Sequence, residues 1–287
     1  MKNIILSPNP YRDNNFDTVR EAIRILRDAG IHTRVCLPFE VDKSYELPRD
    51  IRFSRLDREL PNADMVICFG GDGTILHMAK AATRRGIPIL GVNIGTMGFM
   101  AELESNEMHK LARLATDDYA LDSRMMLDVT VLRDRDILFH DICLNDVSIT
   151  KGAVARIAHV EVECDGVTAM ECSGDGVIIA TPTGSTAYSL SAGGPIVEPD
   201  AKNILITPIC SHDIFSRCIV VSDRRVVSVR MVHNARRNAF LSVDGGKAVR
   251  MNMGDVAVIK KSHLETKLVR LNDRSFYDVL GAKFRKG

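Results

Sequence analysis

The sequence predicts two domains of different class: an α/β domain with a doubly wound, mostly parallel sheet over residues 1–120, joined by 267–287, and an all-β domain over 121–266. Three observations carry that reading. Up to about residue 120, apolar runs of strand length alternate with stretches of helical period, the pattern of strands linked by right-handed crossovers. Beyond it, short β-branched runs follow one another with turn residues between them. The length of 287 residues suits about two domains of roughly 100 to 200 residues each.

In the first domain, Lys2–Leu6 is a short apolar strand. From Asn15 to Ala29, Val19, Ala22, Ile23 and Leu26 recur at helical spacing, and Gly30 stands where a left-handed C-terminal cap is wanted. Ile31–Leu37 returns as a strand. A charged, proline-punctuated connection, 38–61, leads to Met65–Phe69, a continuous apolar run that stops at glycines, as a strand buried on both faces of a parallel sheet does. Thr74–Arg85 follows as a helix and Ile87–Val92 as a strand. In the second domain, Met126–Leu132 and Ile137–Leu144 flank a turn at 133–136. Ala158–Cys164, Gly176–Ala180, Ile219–Val221, Val226–Met231, Ala239–Val243 and Asp255–Lys260 are further short strands. No period of 20 to 50 residues repeats, which excludes solenoids and propellers.

Composition narrows the function classes. With 45% apolar and 26% charged residues, disorder, collagen and coiled coil are excluded. A net charge of +1 supplies no electrostatic footprint for a nucleic-acid backbone, so no nucleic-acid partner is expected. No apolar run approaches the ~18 residues of a membrane span, and the start, MKNIILSPNP, lacks the pattern of a secretory signal. The seven cysteines form no CxxC pair, so neither a disulfide framework nor a zinc knuckle is expected and a reducing cytoplasm fits. Cys210 and His212 lack further ligands, and no protein metal site is expected.

The sharpest chemical signal is GGDGT at 70–74, placed where a buried strand ends and a helix opens. Glycines there allow close approach by a ligand, and exposed amides at a helix N-terminus attract phosphate. A carboxylate beside phosphates is unfavourable unless it binds Mg²⁺ or accepts a proton from an attacking hydroxyl, which makes Asp72 a catalytic candidate. The bland alternative is a tight turn with a helix-capping aspartate. Neither GxxxxGK[ST] nor GxGxxG occurs, so a P-loop NTPase and a Rossmann dehydrogenase lose their main support. A second constellation, GDGVIIATPTGSTAYSLSAGGPI at 174–196, mixes Thr181, Thr183, Ser185, Thr186, Tyr188, Ser189 and Ser191 with glycines and has no charge for 22 residues after Asp175. Small hydroxyls on permissive backbone suit ribose, phosphate or adenine edges. Asn145 and Asp146 set an amide and a carboxylate side by side after Leu144, a pair that most often begins a turn.

Together with NIGTMGF at 93–99 and LNDV at 144–147, these segments resemble the bacterial NAD kinases, which transfer the γ-phosphoryl of ATP to the 2′-hydroxyl of the adenosine ribose of NAD. The resemblance covers most of the chain from about residue 60 to 245. GGDGT alone is shared with lipid kinases, whereas TPTGSTAY is far more specific. The resemblance implies an N-terminal α/β domain, a C-terminal β-sandwich, an active site in the cleft between them, and a homodimer or homotetramer that completes it. It implies Asp72 as the base for the 2′-hydroxyl, with Gly70, Gly71, Gly73 and Thr74 along the phosphates and Mg²⁺ or another divalent metal entering with ATP. Phe99 should lie against the adenosine part of NAD. Asn145 and Asp146 should hold ribose and pyrophosphate-side groups, Thr183, Thr186, Ala187, Tyr188 and Ser191 the adenine and ribose, and Asp175 the dinucleotide of a neighbouring subunit. Some positions depart from the family pattern. Asp146 stands where glutamate is usual, and Ser211 and Cys218 occupy positions that are usually proline. Asp244 and Gly245 match a common DG turn and are read as structural. The other readings are a lipid kinase of the same superfamily, for which 174–196 offers no acyl channel, and a dinucleotide sensor without turnover, which would not need Asp72.

Overall fold

Two compact units divide the chain, Met1–Ser123 with Thr266–Gly287, and Arg124–Glu265. The computed structural model describes residues 2–42, 44–95, 98–152, 157–213, 216–232 and 239–285.

In the first unit the strands are β1 (Asn3–Pro8), β2 (His32–Val35), β3 (Met65–Gly70), β4 (Ile89–Asn93) and the short β5 (Leu103–Glu104). All pair in parallel, in the order β2-β1-β3-β4 with β5 on β4, so the expected doubly wound class holds. Between β1 and β2 lies α1 (Asp17–Asp28), whose Val19, Ala22 and Leu26 are buried as their spacing requires. It is closed by Gly30 at φ +76. α2 (Leu56–Glu59) is one turn inside the connection expected to be irregular, and α3 (Asp72–Thr83) follows β3. That helix begins two residues earlier than its apolar period suggests, because the glycine turn itself supplies its first residues. A 3₁₀ segment, Ser105–Thr116, was not expected; it buries Met108, Leu111 and Leu114 against the same core as Val19 and Leu26.

The second unit is all β. Its strands are β6 (Ala120–Arg133, shared with the first unit), β7 (Asp136–Cys143), β8 (Asp146–Lys151), β9 (Ala158–Cys164), β10 (Val167–Gly174), β11 (Gly176–Ala180), β12 (Asn203–Ile209), β13 (Ile219–Ser222), β14 (Val227–Met231), β15 (Ala239–Val243), β16 (Val249–Met251) and β17 (Asp255–Arg270). Helix α4 (Tyr188–Ser191) is a single turn after β11. One antiparallel sheet runs β13-β12-β11-β8-β15-β16. Opposite it, β10-β9-β14-β17 pair antiparallel, and the sandwich core joins Val160, Val229 and Ile259 of one face to Ile149, Ile179, Ile206 and Leu241 of the other. β17 runs on past unit 2, so that Leu268 pairs in parallel with Ile89 of β4, and helix α5 (Phe276–Phe284) completes the first unit. Among the described residues no helix is long and apolar enough to cross a membrane.

Candidate active site

In the first unit the strand order reverses between β1 and β3, and the carboxyl ends of two strands on either side of such a reversal leave a crevice. Here that crevice is a cavity of about 440 Å³ lined by Asn9 and Arg12 after β1, Gly71 to Thr74 after β3, Phe39, His77, Gly98 and Lys283. Gly70 adopts φ +156, and a Cβ there would stand 2.3 Å from Thr74 Oγ1. Only glycine closes this turn. Thr74 is fixed in turn by its N–H on Gly71 O (2.9 Å) and by Asn9 Nδ2 donating to its hydroxyl (3.3 Å).

Asp72 opens α3, where the helix dipole favours a negative charge. Its carboxylate accepts the backbone N–H of Phe99 at Oδ2 (2.7 Å) and of Met100 at Oδ1 (3.0 Å). Those two bonds fix its direction, and Gly98 makes them possible, since a Cβ there would fall 1.9 Å from Asp72 Oδ1. The Phe99 ring carries Lys283 Nζ 4.5 Å from its centroid and packs at 6.1 Å against Phe276 of α5.

The other expected site residues lie in the second unit, where the chain after β11 returns to the start of β8. Thr181 Oγ1 donates to Leu144 O (2.6 Å) and accepts the Gly184 N–H (3.0 Å), while Asn145 O accepts the Thr181 N–H at 2.9 Å. Gly184 is obligatory, because a Cβ would stand 2.0 Å from Asn145 O. Thr183 accepts from Arg124 Nη1 (3.4 Å), and the Thr186 hydroxyl donates to Thr183 O (3.3 Å). Ser191 and the partly exposed Tyr188 stand on α4, just after Ala187. Asp146 begins β8 rather than a turn. Burial pushes its carboxyl up to about 7, with the Asp244 charge adding to the effect. Burial also raises Tyr188, with Cys210, Asp146 and Asp175 contributing in that order, which sets these four side chains in one neighbourhood. Asp175 pairs with Lys151 at 2.6 Å. Asn145 Oδ1 is buried with no hydrogen-bond partner, an acceptor that a ligand donor would satisfy.

Comparison with known proteins decides the family. Models of the ATP-NAD kinase N-terminal and C-terminal domains match residues 4–119 and 144–271. The NAD kinase of Acetivibrio thermocellus is 39% identical over 284 residues, 99% of this chain and 97% of that one. The chain belongs to the NAD kinase family. The NAD kinase of Natranaerobius thermophilus is 46% identical over 226 residues, 78% of this chain and 79% of that protein. In fold, the chain is similar to a yeast NADH kinase solved with NADH (TM-score 0.85, 22% identity, 99% of this chain and 88% of that one). An Archaeoglobus fulgidus NAD kinase solved with ATP gives a TM-score of 0.76 at 24% identity, with both chains covered fully.

Within this NAD kinase chain, Gly70, Gly71, Asp72, Gly73, Thr74 and Phe99 gather in the first unit, and Asn145, Asp146, Asp175, Thr183, Thr186, Ala187, Tyr188 and Ser191 in the second. Sequence reasoning missed Asn9, Arg12, His77 and Lys283 around the phosphate turn, and the role of Asp244. The Asp244 carboxylate accepts three successive backbone N–H groups, Leu144 (2.9 Å), Asn145 (2.8 Å) and Asp146 (3.2 Å). It holds the LNDV segment in place across about a hundred residues of chain, and only the DG pair hinted at it. Among the described residues no three His, Cys, Asp or Glu side chains gather as a metal cage, and all seven cysteines are free thiols.

Proposed function

We infer that the chain is an NAD kinase, which makes NADP by transferring the γ-phosphoryl of ATP to the 2′-hydroxyl of the adenosine ribose of NAD. The observation that carries this reading is a carboxylate locked by two amides on a glycine phosphate turn, in a chain alike over its whole length to an NAD kinase. Phosphoryl transfer depends chiefly on positioning and electrostatic stabilisation. In the proposed mechanism Asp72 accepts the 2′-hydroxyl proton as that oxygen bonds to the γ-phosphorus. The bond from phosphorus to the β,γ-bridging oxygen breaks, and ADP leaves with the electron pair. The N–H groups of the 70–74 turn hold phosphate oxygens. Asn145 and Asp146 take the ribose and pyrophosphate side of NAD, Phe99 the adenosine, and Thr183, Thr186, Ala187, Tyr188 and Ser191 the adenine and ribose.

A divalent metal, Mg²⁺ in the first instance, fits this donor set as a passenger of the triphosphate, because Mg²⁺ usually takes one or two carboxylates plus substrate phosphates and Asp72 stands at the turn. Asp72 would be the carboxylate beside it, and the ion would supply positive charge to offset the negative charge of the transferring phosphoryl group. The reading also places the enzyme in the cytoplasm as a homodimer or homotetramer, in which the partly exposed Asp175 reaches the dinucleotide of a neighbouring subunit. Nothing observed favours a lipid acceptor or a turnover-free sensor.

The test is direct. Protein, Mg-ATP and NAD are incubated, and NADP is detected with an NADP-dependent dehydrogenase. Wild type should form NADP, and Asp72→Asn should keep the fold and lose about 10² to 10⁴ in turnover, the weight of a positioned general base. Absence of NADP, or a diacylglycerol or sphingoid base serving far better than NAD, would overturn the assignment. Near wild-type turnover in Asp72→Asn would remove the base role.

A further inference from the structure

We propose that Arg12 and Lys283, which lie outside every motif of the sequence, form a cationic clamp on the polyphosphate of the donor nucleotide. The proposal rests on the NAD kinase reading for the identity of the donor, and on the first unit alone for its geometry.

The phosphate turn is short of positive charge. Its own contribution is a set of backbone N–H groups and the partial charge of the α3 N-terminus, worth about half an elementary charge, and Asp72 sets a full negative charge among them. A nucleoside triphosphate, even with one divalent cation, brings about two further negative charges into the same 440 Å³. Two full cations line that cavity, one from each end of the chain. Arg12 follows β1, and its Nη1 lies 4.0 Å from the Cβ position of Gly71 and 3.4 Å from that of Gly95, so the guanidinium hangs over the glycine turn. Lys283 comes from α5, with its ammonium group over the Phe99 ring.

Neither cation is committed to an ion pair. Among the described residues neither has a carboxylate at ion-pairing distance, although many of their basic neighbours in the same unit do, including Arg20 with Asp50, Lys110 with Glu107 and Arg270 with Glu102. For Arg12 the reason is visible. Asp13, the adjacent acid, turns both oxygens into the start of α1, where they accept the N–H groups of Thr18 and Val19. For Lys283 the ring beneath it is itself positioned by the catalytic turn, since the Phe99 N–H donates to Asp72. The two side chains divide the work by their chemistry. A guanidinium presents a planar fork that matches two phosphate oxygens at once, while an ammonium acts as a point charge on a flexible stem.

The experiment compares wild type with Arg12→Ala, Lys283→Ala and the conservative Lys283→Arg by steady-state kinetics, and by titration with the non-hydrolysable β,γ-imido analogue of ATP in the presence of Mg²⁺. Each alanine variant should raise the ATP KM and the analogue Kd by roughly 10- to 100-fold, the usual effect of losing one charged hydrogen bond. In Arg12→Ala the NAD KM should stay within about twofold of wild type, both alanine variants should melt within about 2 °C of it, and Lys283→Arg should recover most of the loss in analogue affinity. A purely structural role would move the melting temperature as well, and for Arg12 also the NAD KM. If wild type turns over while both alanine variants keep the wild-type ATP KM and analogue Kd, the clamp is wrong and the kinase assignment stands. If wild type makes no NADP, the kinase assignment falls, and the analogue titration still decides whether Arg12 and Lys283 grip a triphosphate.

Discussion

Asp146 is buried to 6% exposure, and burial foremost, then the neighbouring Asp244 charge, lifts its carboxyl to about 7. In the unfolded chain the same carboxyl titrates near 3.9. Below that pH both states are protonated and the neutral side chain is buried without charge. As the pH rises towards 7 the unfolded chain ionises first, so this contribution to stability is lost between about pH 4 and 7. Above 7 the fold carries the whole cost of a buried carboxylate, of order 4 kcal/mol. Asp146→Asn should therefore gain on wild type as pH rises, read as a difference in urea midpoints that is larger at pH 8 than at pH 5; equal differences would remove Asp146 as the titrating group. The same proton bears on the substrate. A carboxylate accepts from a ribose hydroxyl more strongly than a carboxyl group does, so the NAD KM of wild type should fall as pH rises through 7, and Asp146→Asn should flatten that limb. Adjacent Asn and Asp hinted in the sequence at a polar turn. Their burial and the clamp from Asp244 were illegible there, because both depend on strand pairings some hundred residues away.

At the scale of elements, three of the strands that escaped prediction share a cause. β8 begins with an aspartate, β10 carries six small or polar residues in eight, and β12 contains Pro208, each of which weakens the period-2 or apolar-run signal that marks a strand. By contrast β3 and β11, buried along their whole length, were legible as unbroken apolar runs. The glycines in the motifs were legible as permissive backbone, while the atoms they make room for were not, and those atoms predict different outcomes for two similar substitutions. In Gly98→Ala the new Cβ meets the Asp72 carboxylate, the free end of a side chain that can swing aside. Its displacement takes the acceptor from the Phe99 and Met100 N–H groups, so stability should fall by about 1 to 3 kcal/mol, and turnover should drop by about 10² or more, since a displacement of about 1 Å suffices for that. In Gly184→Ala the new Cβ meets the backbone carbonyl of Asn145, which cannot move alone, and the fold should lose about 1 to 3 kcal/mol as overpacked sites do. Thermal unfolding and kcat measured on both variants check the pair; a Gly98→Ala enzyme with full activity would show that Asp72 tolerates displacement.

For the whole molecule, alternation of strand and helix against uninterrupted strands was enough to read an α/β unit followed by a β unit, because each class buries its surface with a different period. The return of the chain was legible only in part. Asp255–Lys260 reads as a strand, whereas β17 continues to Arg270 through Ser262, His263, Glu265, Thr266 and Lys267, whose polarity hides the alternation. What anchors that return is Glu102, exposed to only 3%. It accepts Arg270 Nη1 (3.1 Å) and the backbone N–H groups of Leu271 (2.9 Å) and Asn272 (2.6 Å), tying the last stretch of chain to the segment after β4. Arg270 has a second partner in Asp122, 2.8 Å from Nη2, so removing Glu102 would not strand the guanidinium. It would instead leave two amide N–H groups at the end of β17 without an acceptor, and each such group costs about 1 to 3 kcal/mol. Glu102→Ala should thus destabilise the protein by about 2 to 4 kcal/mol in urea unfolding. Glu102→Gln, which keeps one oxygen for the two N–H groups and loses the charge, should cost less than half of that. An alanine variant within about 0.5 kcal/mol of wild type, the range of an ordinary surface substitution, would mean that β17 and α5 are held to the first unit by their apolar contacts alone.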